Sequence, residues 1–133
     1  MAISVSIVED NEKLRSTLAR VLNRAEGFSC ASQYPSAEDA LKDLPNVKPD
    51  VVLMDINLPG ISGIKALSIL HDDPATTHIP VIALSANAMP RDIEKGLRAG
   101  FFQYLTKPIK VTEFMETLEE VLEFAAQRVA PRN

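Results

Sequence analysis

Four places in the sequence carry side chains suited to joint chemistry on a charged, oxygen-rich group. Glu9-Asp10 is an adjacent pair of carboxylates. Asp55 follows the apolar run Val51-Val52-Leu53-Met54, with Asn57 two residues on. Ser85 follows Pro80-Val81-Ile82-Ala83-Leu84, and Lys107 precedes Pro108. In one cleft the three carboxylates would repel one another. A cation resolves that conflict, and hard oxygen ligands favour Mg²⁺ over Zn²⁺. No Cys/His set has zinc spacing. Glu9, Asp10 and Asp55 contribute about −3, and Mg²⁺ with Lys107 about +3. A site balanced in this way can accept a phosphoryl group. An Asp carboxylate attacks phosphorus to give an acyl phosphate. The metal would bridge nucleophile and phosphoryl oxygen. Lys107 and the Ser85 hydroxyl would hold the other oxygens, so catalysis is positioning plus charge stabilisation.

The hydropathy pattern shows the elements that bring these residues together. Ile3 to Val8 reads as a first strand, made less apolar than a usual central strand by Ser4 and Ser6. Leu14, Leu18, Val21, Leu22 and Ala25 recur with a period of about 3.6 residues, so 11–25 reads as an amphipathic helix. Gly27 sits where its C-terminal cap is expected. Phe28 to Tyr34 predicts a second, weaker strand. Ser36 with Asp39 resembles a capping box ahead of a short stripe at Ala37, Ala40, Leu41 and Leu44. Pro45 and Pro49 break the chain. Residues 51–54 read as a strand buried on both faces, and Asn57-Leu58-Pro59-Gly60 is loop chemistry. Ile64, Leu67 and Leu70 suggest a third helix, and 80–84 a fourth strand. Pro90 opens a helix whose inner face is marked by Ile93 and Leu97, and Gly100 ends it. Phe101 to Leu105 is the fifth strand. Phe114, Leu118, Val121, Leu122 and Ala125 predict a closing helix, with a frayed tail from Arg128.

The order (βα)₅ predicts an α/β fold, a doubly wound five-stranded parallel sheet with right-handed crossovers. One domain is expected over 1–127, with a tail at 128–133. Ligands of such sheets bind at the carboxyl ends of the strands, where Glu9-Asp10, Asp55, Ser85 and Lys107 fall.

Composition narrows the classes. A chain of 133 residues, 46% apolar and 24% charged, fits one soluble globular domain. No apolar run reaches the roughly 20 residues of a membrane span. The N-terminus lacks the features of a secretion signal. The single cysteine, Cys30, excludes an internal disulfide and reads as a half-buried packing residue. The cytoplasm is the expected location. A net charge of −4 without a basic cluster is a poor match for nucleic acid.

The motifs Val-Glu-Asp at 8–10, Met-Asp-Ile-Asn-Leu-Pro-Gly at 54–60, Ala-Leu-Ser-Ala at 83–86 and Tyr-Leu-Thr-Lys-Pro at 104–108 resemble, in order and spacing, the receiver domain of two-component response regulators. The likeness runs from Ser4 to about Ala126 and is to receivers of the chemotaxis kind. It implies the flavodoxin-like strand order 2-1-3-4-5. It also implies Asp55 as phosphoacceptor, Asp10 as a direct Mg²⁺ ligand with Glu9 acting through water, and the Asn57 backbone carbonyl on the metal. Ser85 becomes the hydroxyl that swings toward the phosphoryl group, Tyr104 the aromatic switch that follows it, and Lys107 the phosphoryl-binding lysine. A cis bond at Lys107-Pro108 is expected. Asn57 and Asn87 are read as tuning the phosphoryl lifetime.

The resemblance further implies a sensor histidine kinase or histidine phosphotransfer protein as donor. His71 and His78 read as surface residues and not as phosphodonors. The chain would be no enzyme in the ordinary sense, but would promote its own aspartyl phosphorylation and dephosphorylation. The output would run through the fourth helix, fifth strand and fifth helix, with Lys95, Arg98, Lys110 and Glu113, to a protein partner or an effector domain outside this chain. A homodimer on phosphorylation belongs to the same expectations; direct contact with nucleic acid or membrane does not. Glu9 replaces Asp and Ser85 replaces Thr, both tolerated. Phe101-Phe102 is expected to put apolar surface near the switch face. The acidic stripe Glu113, Glu116, Glu119, Glu120 and Glu123 reads as a solvated face.

Singly, these residues have plainer readings: Glu9-Asp10 as capping acids, Ser85 as a turn residue, Lys107 as a solvated lysine, Tyr104 as a core aromatic. The joint pattern carries the inference. A dehalogenase-type phosphatase would need a second Asp where Asn57 stands, and Asn57 cannot donate a carboxylic proton. A flavodoxin-like cofactor carrier would need a phosphate loop where Glu9-Asp10-Asn11-Glu12 repels phosphate. A degenerate, non-phosphorylated receiver conflicts with intact Asp10, Asp55, Ser85 and Lys107.

Overall fold

The computed structural model describes residues 2–87 and 89–129, with side chains through 124. Five parallel strands pair in the order β2-β1-β3-β4-β5, the order expected. β1 (Ile3–Val8), β3 (Val51–Asp55) and β4 (Val81–Ser85) are interior. β2 (Phe28–Tyr34) and β5 (Gln103–Thr106) form the edges.

Strand alternation sorts the side chains into two cores. Val5, Ile7, Leu53, Ile82 and Leu84 pack against Leu18 and Leu22 of α1 (Glu12–Arg24) and Phe114 and Leu118 of α5 (Val111–Val129). On the other face Val8, Val52, Met54 and Ala83 meet Ala40 and Leu44 of α2 (Ala37–Val47) and Ala66, Leu67 and Leu70 of α3 (Gly63–Asp72). Each fully buried aliphatic side chain contributes about 1.5–3 kcal/mol, so this sandwich fixes the strand ends. α4 (Pro90–Ala99) completes the second layer.

Local chemistry starts and stops the helices. Asn11, Ser36 and Ser62 side chains accept the N–H groups of Leu14, Asp39 and Lys65 and so cap α1, α2 and α3. Ser4 and Ser6 fit a central strand because both have partners. The Ser6 hydroxyl pairs with that of Ser32 at 2.7 Å, and the Ser4 N–H and hydroxyl both donate to the Asp50 carboxylate.

Some boundaries move. Pro45 lies inside the last turn of α2 instead of ending it, and the helix runs to a left-handed Lys48, whose N–H donates to the Leu44 carbonyl. β5 starts at Gln103, later than expected. Gly100 turns the chain at a positive φ, and Phe101 enters the core at 4% exposure. Phe101 therefore adds no surface, while half-buried Phe102 packs in a tilted arrangement against Phe124, with ring centroids 5.1 Å apart. Leu97 is 43% exposed and Ile93 half-buried, so the contact line of α4 runs through buried Gly96 instead. Ile64 and Leu122 also face outward. His71 is half-buried, not at the surface: Gly100, lacking a side chain, lets its ring close on the α4–β5 turn. Backbone helix continues to Val129, past the boundary expected at 127, and residues 130–133 lie outside the described part. No helix among the described residues is long and apolar enough to cross a membrane.

Candidate functional site

Parallel strand order places the carboxyl ends of β1, β3, β4 and β5 side by side, and the expected site residues sit there together. Glu9 and Asp10 follow β1, Asp55 ends β3, Ser85 ends β4 and Lys107 follows β5. Each of Glu9, Asp10 and Asp55 offers an oxygen within 4.8 Å of the others. Glu9 is fully buried and Asp55 is 2% exposed, while Asp10 faces solvent.

One cation holds this acidic group together. Lys107 Nζ stands 2.7 Å from Glu9 Oε1 and donates to Asp55 Oδ2 at 3.2 Å. Burial pushes the Lys107 ammonium down, and the two carboxylates more than reverse this, so it titrates above the ordinary lysine range. Burial is also the main influence on Glu9, raising it to about 7 against the opposing pull of Lys107. The neighbouring Glu9 carboxyl is the chief reason that Asp10 lies below the usual carboxylate range. The first proton taken up by the pair therefore goes to buried Glu9, and Asp10 is the one that stays ionised.

Backbone geometry sets the rest. Asp55 Oδ1 accepts the Asn57 N–H at 2.9 Å, and Glu9 Oε2 accepts the Asn11 N–H at 3.0 Å. Arg15 of α1 donates to the Glu9 carbonyl at 2.7 Å and ties the β1–α1 turn down. The Ser85 hydroxyl donates to Asn57 Oδ1 at 3.2 Å and accepts the Asn87 N–H at 3.0 Å. Tyr104 donates to the Asn87 carbonyl at 3.2 Å. The Lys107-Pro108 bond is cis, as expected.

The residues fit a divalent cation. Glu9 Oε1 is buried beside Lys107 at ion-pair distance yet has no hydrogen bond of acceptable angle. Together with two further carboxylates, it offers the oxygen donors that a hard cation requires.

Sequence reading missed two contributors. Asn57 is expected to offer its backbone carbonyl and to tune the phosphoryl lifetime; that its side chain accepts the Ser85 hydroxyl is not read from the sequence. Gly63 opens α3 so close to β3 that a Cβ there would lie 2.5 Å from Ile56 Cα and 2.7 Å from the Asp55 carbonyl oxygen. The sequence signal for Gly63 was a glycine soon after the loop at 57–60. Nothing in that signal reports the approach of α3 to the strand.

The fold and the buried acid–lysine group define a receiver architecture, and comparison with known proteins shows the same class. The chain superposes on the signal receiver domain of a DNA-binding response regulator from Colwellia psychrerythraea with a TM-score of 0.82 and 26% identity, covering 91% of this chain and 98% of that one. The Vibrio cholerae chemotaxis protein CheY4 shares the fold, with a TM-score of 0.82 at 21% identity over 91% and 99% of the two chains. The chain belongs to the response regulator receiver domain family, whose sequence model matches residues 5–119. Among individual proteins it is 43% identical over 122 residues to the polar-differentiation response regulator DivK of Brucella ovis, covering 92% of this chain and 98% of DivK.

Proposed function

We propose that this receiver takes a phosphoryl group onto Asp55 from a phosphohistidine of a sensor kinase or phosphotransfer protein, in a Mg²⁺-dependent reaction in the cytoplasm. The observation that carries the reading is the buried Asp55 carboxylate, bonded to Lys107 at 3.2 Å and grouped with Glu9 and Asp10. An Asp55 oxygen forms the new bond to phosphorus as the phosphorus–nitrogen bond of the donor breaks, and the electron pair leaves with the imidazole. Lys107, already between two carboxylates, offsets the charge that arrives. Ser85 supplies a hydroxyl that trades Asn57 Oδ1 for a phosphoryl oxygen. Glu9, Asp10, Asp55 and the Asn57 carbonyl are the residues that would hold Mg²⁺, which supplies charge neutralisation and alignment when bound. The loss of the Ser85–Asn57 bond is passed through Asn87 to Tyr104. The α4–β5–α5 surface, where Lys95, Arg98, Lys110 and Glu113 are all exposed, then signals to a protein partner.

The test is incubation with acetyl phosphate and Mg²⁺, read by intact mass. A phosphate-sized gain that requires Mg²⁺ and is absent in Asp55→Asn is the expected result. No gain, under conditions where another receiver reacts, would leave a binding module that signals without phosphorylation.

A further inference from the structure

α4 carries a glycine where a helix least tolerates one. Gly96 lies in the interior of a ten-residue helix and is its buried residue. Glycine is the poorest helix former after proline, so its presence there calls for a reason. A Cβ at 96 would stand 2.8 Å from Cδ2 and 2.9 Å from Cε2 of Tyr104. Phe101 would lie 3.8 Å away, an ordinary contact. The Tyr104 ring therefore rests directly on the helix backbone, and it is the group that must yield to a side chain at this position. It has room to do so, because it borders a cleft of about 180 Å³ shared with Asn57, Ser85 and Asn87.

The ring held on Gly96 ends a continuous series of hydrogen bonds. The Tyr104 hydroxyl donates to the Asn87 carbonyl at 3.2 Å, and the Asn87 N–H donates to Ser85 Oγ at 3.0 Å. Ser85 donates to Asn57 Oδ1 at 3.2 Å, and the Asn57 N–H donates to Asp55 Oδ1 at 2.9 Å. Each link fixes the group that the next one needs, from the helix to the acceptor carboxylate.

We propose that Gly96 is the seat of Tyr104. Because residue 96 has no side chain, the ring can reach the position from which its hydroxyl holds the β4–α4 loop against Ser85. Gly96 is thereby a positioning residue for phosphoryl transfer, acting through Tyr104. This rests on the reading of Asp55 as phosphoacceptor. A methyl group at 96 displaces the ring, releases Asn87 and leaves Ser85 less well placed before any phosphoryl group arrives.

The experiment uses the full chain labelled with fluorotyrosine. Its two tyrosines, Tyr34 and Tyr104, give two fluorine resonances, assigned with Tyr104→Phe. Without phosphodonor, Gly96→Ala is expected to move the Tyr104 resonance and leave that of Tyr34 in place. With acetyl phosphate and Mg²⁺ it is expected to slow phosphorylation about tenfold, less than the hundredfold that a misplacement of about 1 Å can cause. In a Tyr104→Ala background the same substitution should leave the rate unchanged. There it should raise the melting temperature, because alanine is the better helix former. An unmoved Tyr104 resonance, or equal slowing with and without the tyrosine, overturns the proposal. If the unsubstituted protein takes no phosphate at all, the role in transfer falls with the Asp55 reading. The resonance, measured without phosphodonor, then shows whether the seat itself failed as well.

Discussion

Lys107 is the residue on which the charge of the site turns. Its ammonium is the cation that faces Glu9 and Asp55, and both of these are almost wholly buried. Lys107→Met keeps the length of the side chain and removes the charge. The carboxylates then face one another without compensation, which costs roughly 1–3 kcal/mol, the range for leaving a buried polar group unsatisfied. Lys107 itself is 24% exposed, so water screens part of the loss. Urea unfolding at pH 8 without metal should show this destabilisation, and saturating Mg²⁺ should shrink it. Unchanged stability without metal would mean that Lys107 is not what balances these acids. At this scale the sequence was largely legible, because Asp55, Ser85 and Lys107 each sit at or just after a recognisable strand. The bond from Ser85 to the Asn57 side chain and the close approach at Gly63 were not legible, because both depend on the path of the β3–α3 loop in space.

At the scale of elements, the sheet was readable and the second helical layer less so. β1 and β3 announce themselves by continuous or alternating apolar runs, whereas α4 buries a glycine and exposes Leu97, the reverse of what hydropathy suggests. Periodicity weighs side chains, and at Gly96 the contact is made by a backbone that lacks one. Pro45 misled for a related reason: a helix in its last turn can lose one N–H without unravelling. Tyr34 joins two elements whose pairing was legible only in part. It ends β2, and its hydroxyl donates to Asp43 of α2 at 2.7 Å. Burial, and then the Asp43 carboxylate, push the phenol from its usual 10.0 up to about 12. The folded chain thus keeps a proton between these values that the unfolded chain releases. The resulting stabilisation is whole below pH 10 and fades as pH rises toward 12. The urea midpoint should accordingly fall more steeply between pH 10 and 12 in the wild type than in Tyr34→Phe. Parallel curves for the two proteins would show that the β2–α2 bond carries no such linkage.

The whole molecule concentrates its charge conflict at one end. Its net charge of −4 is modest, yet Glu9, Asp10 and Asp55 lie close together at the carboxyl edge of the sheet. Those strand ends are fixed by two apolar layers, so the chain cannot relax the repulsion by spreading them apart without losing core contacts. A ligand that relieves the repulsion in the folded state, and finds no such site in the unfolded chain, must stabilise the fold. For Mg²⁺ at about a hundred times its dissociation constant, the gain is about 2.7 kcal/mol. Asp10 decides whether that gain belongs to this site. It is the exposed member of the trio and stays ionised beside Glu9, so it is the carboxylate most available to an arriving cation. Asp10→Asn changes no buried packing and removes one negative charge from the group. Melting curves with and without Mg²⁺ should therefore show a clear rise for the wild type and almost none for Asp10→Asn. An equal rise in both proteins would place the cation elsewhere on the surface and remove the metal from the account of Asp55. A rise confined to the wild type would tie stability and charge balance to the same three carboxylates, Glu9, Asp10 and Asp55.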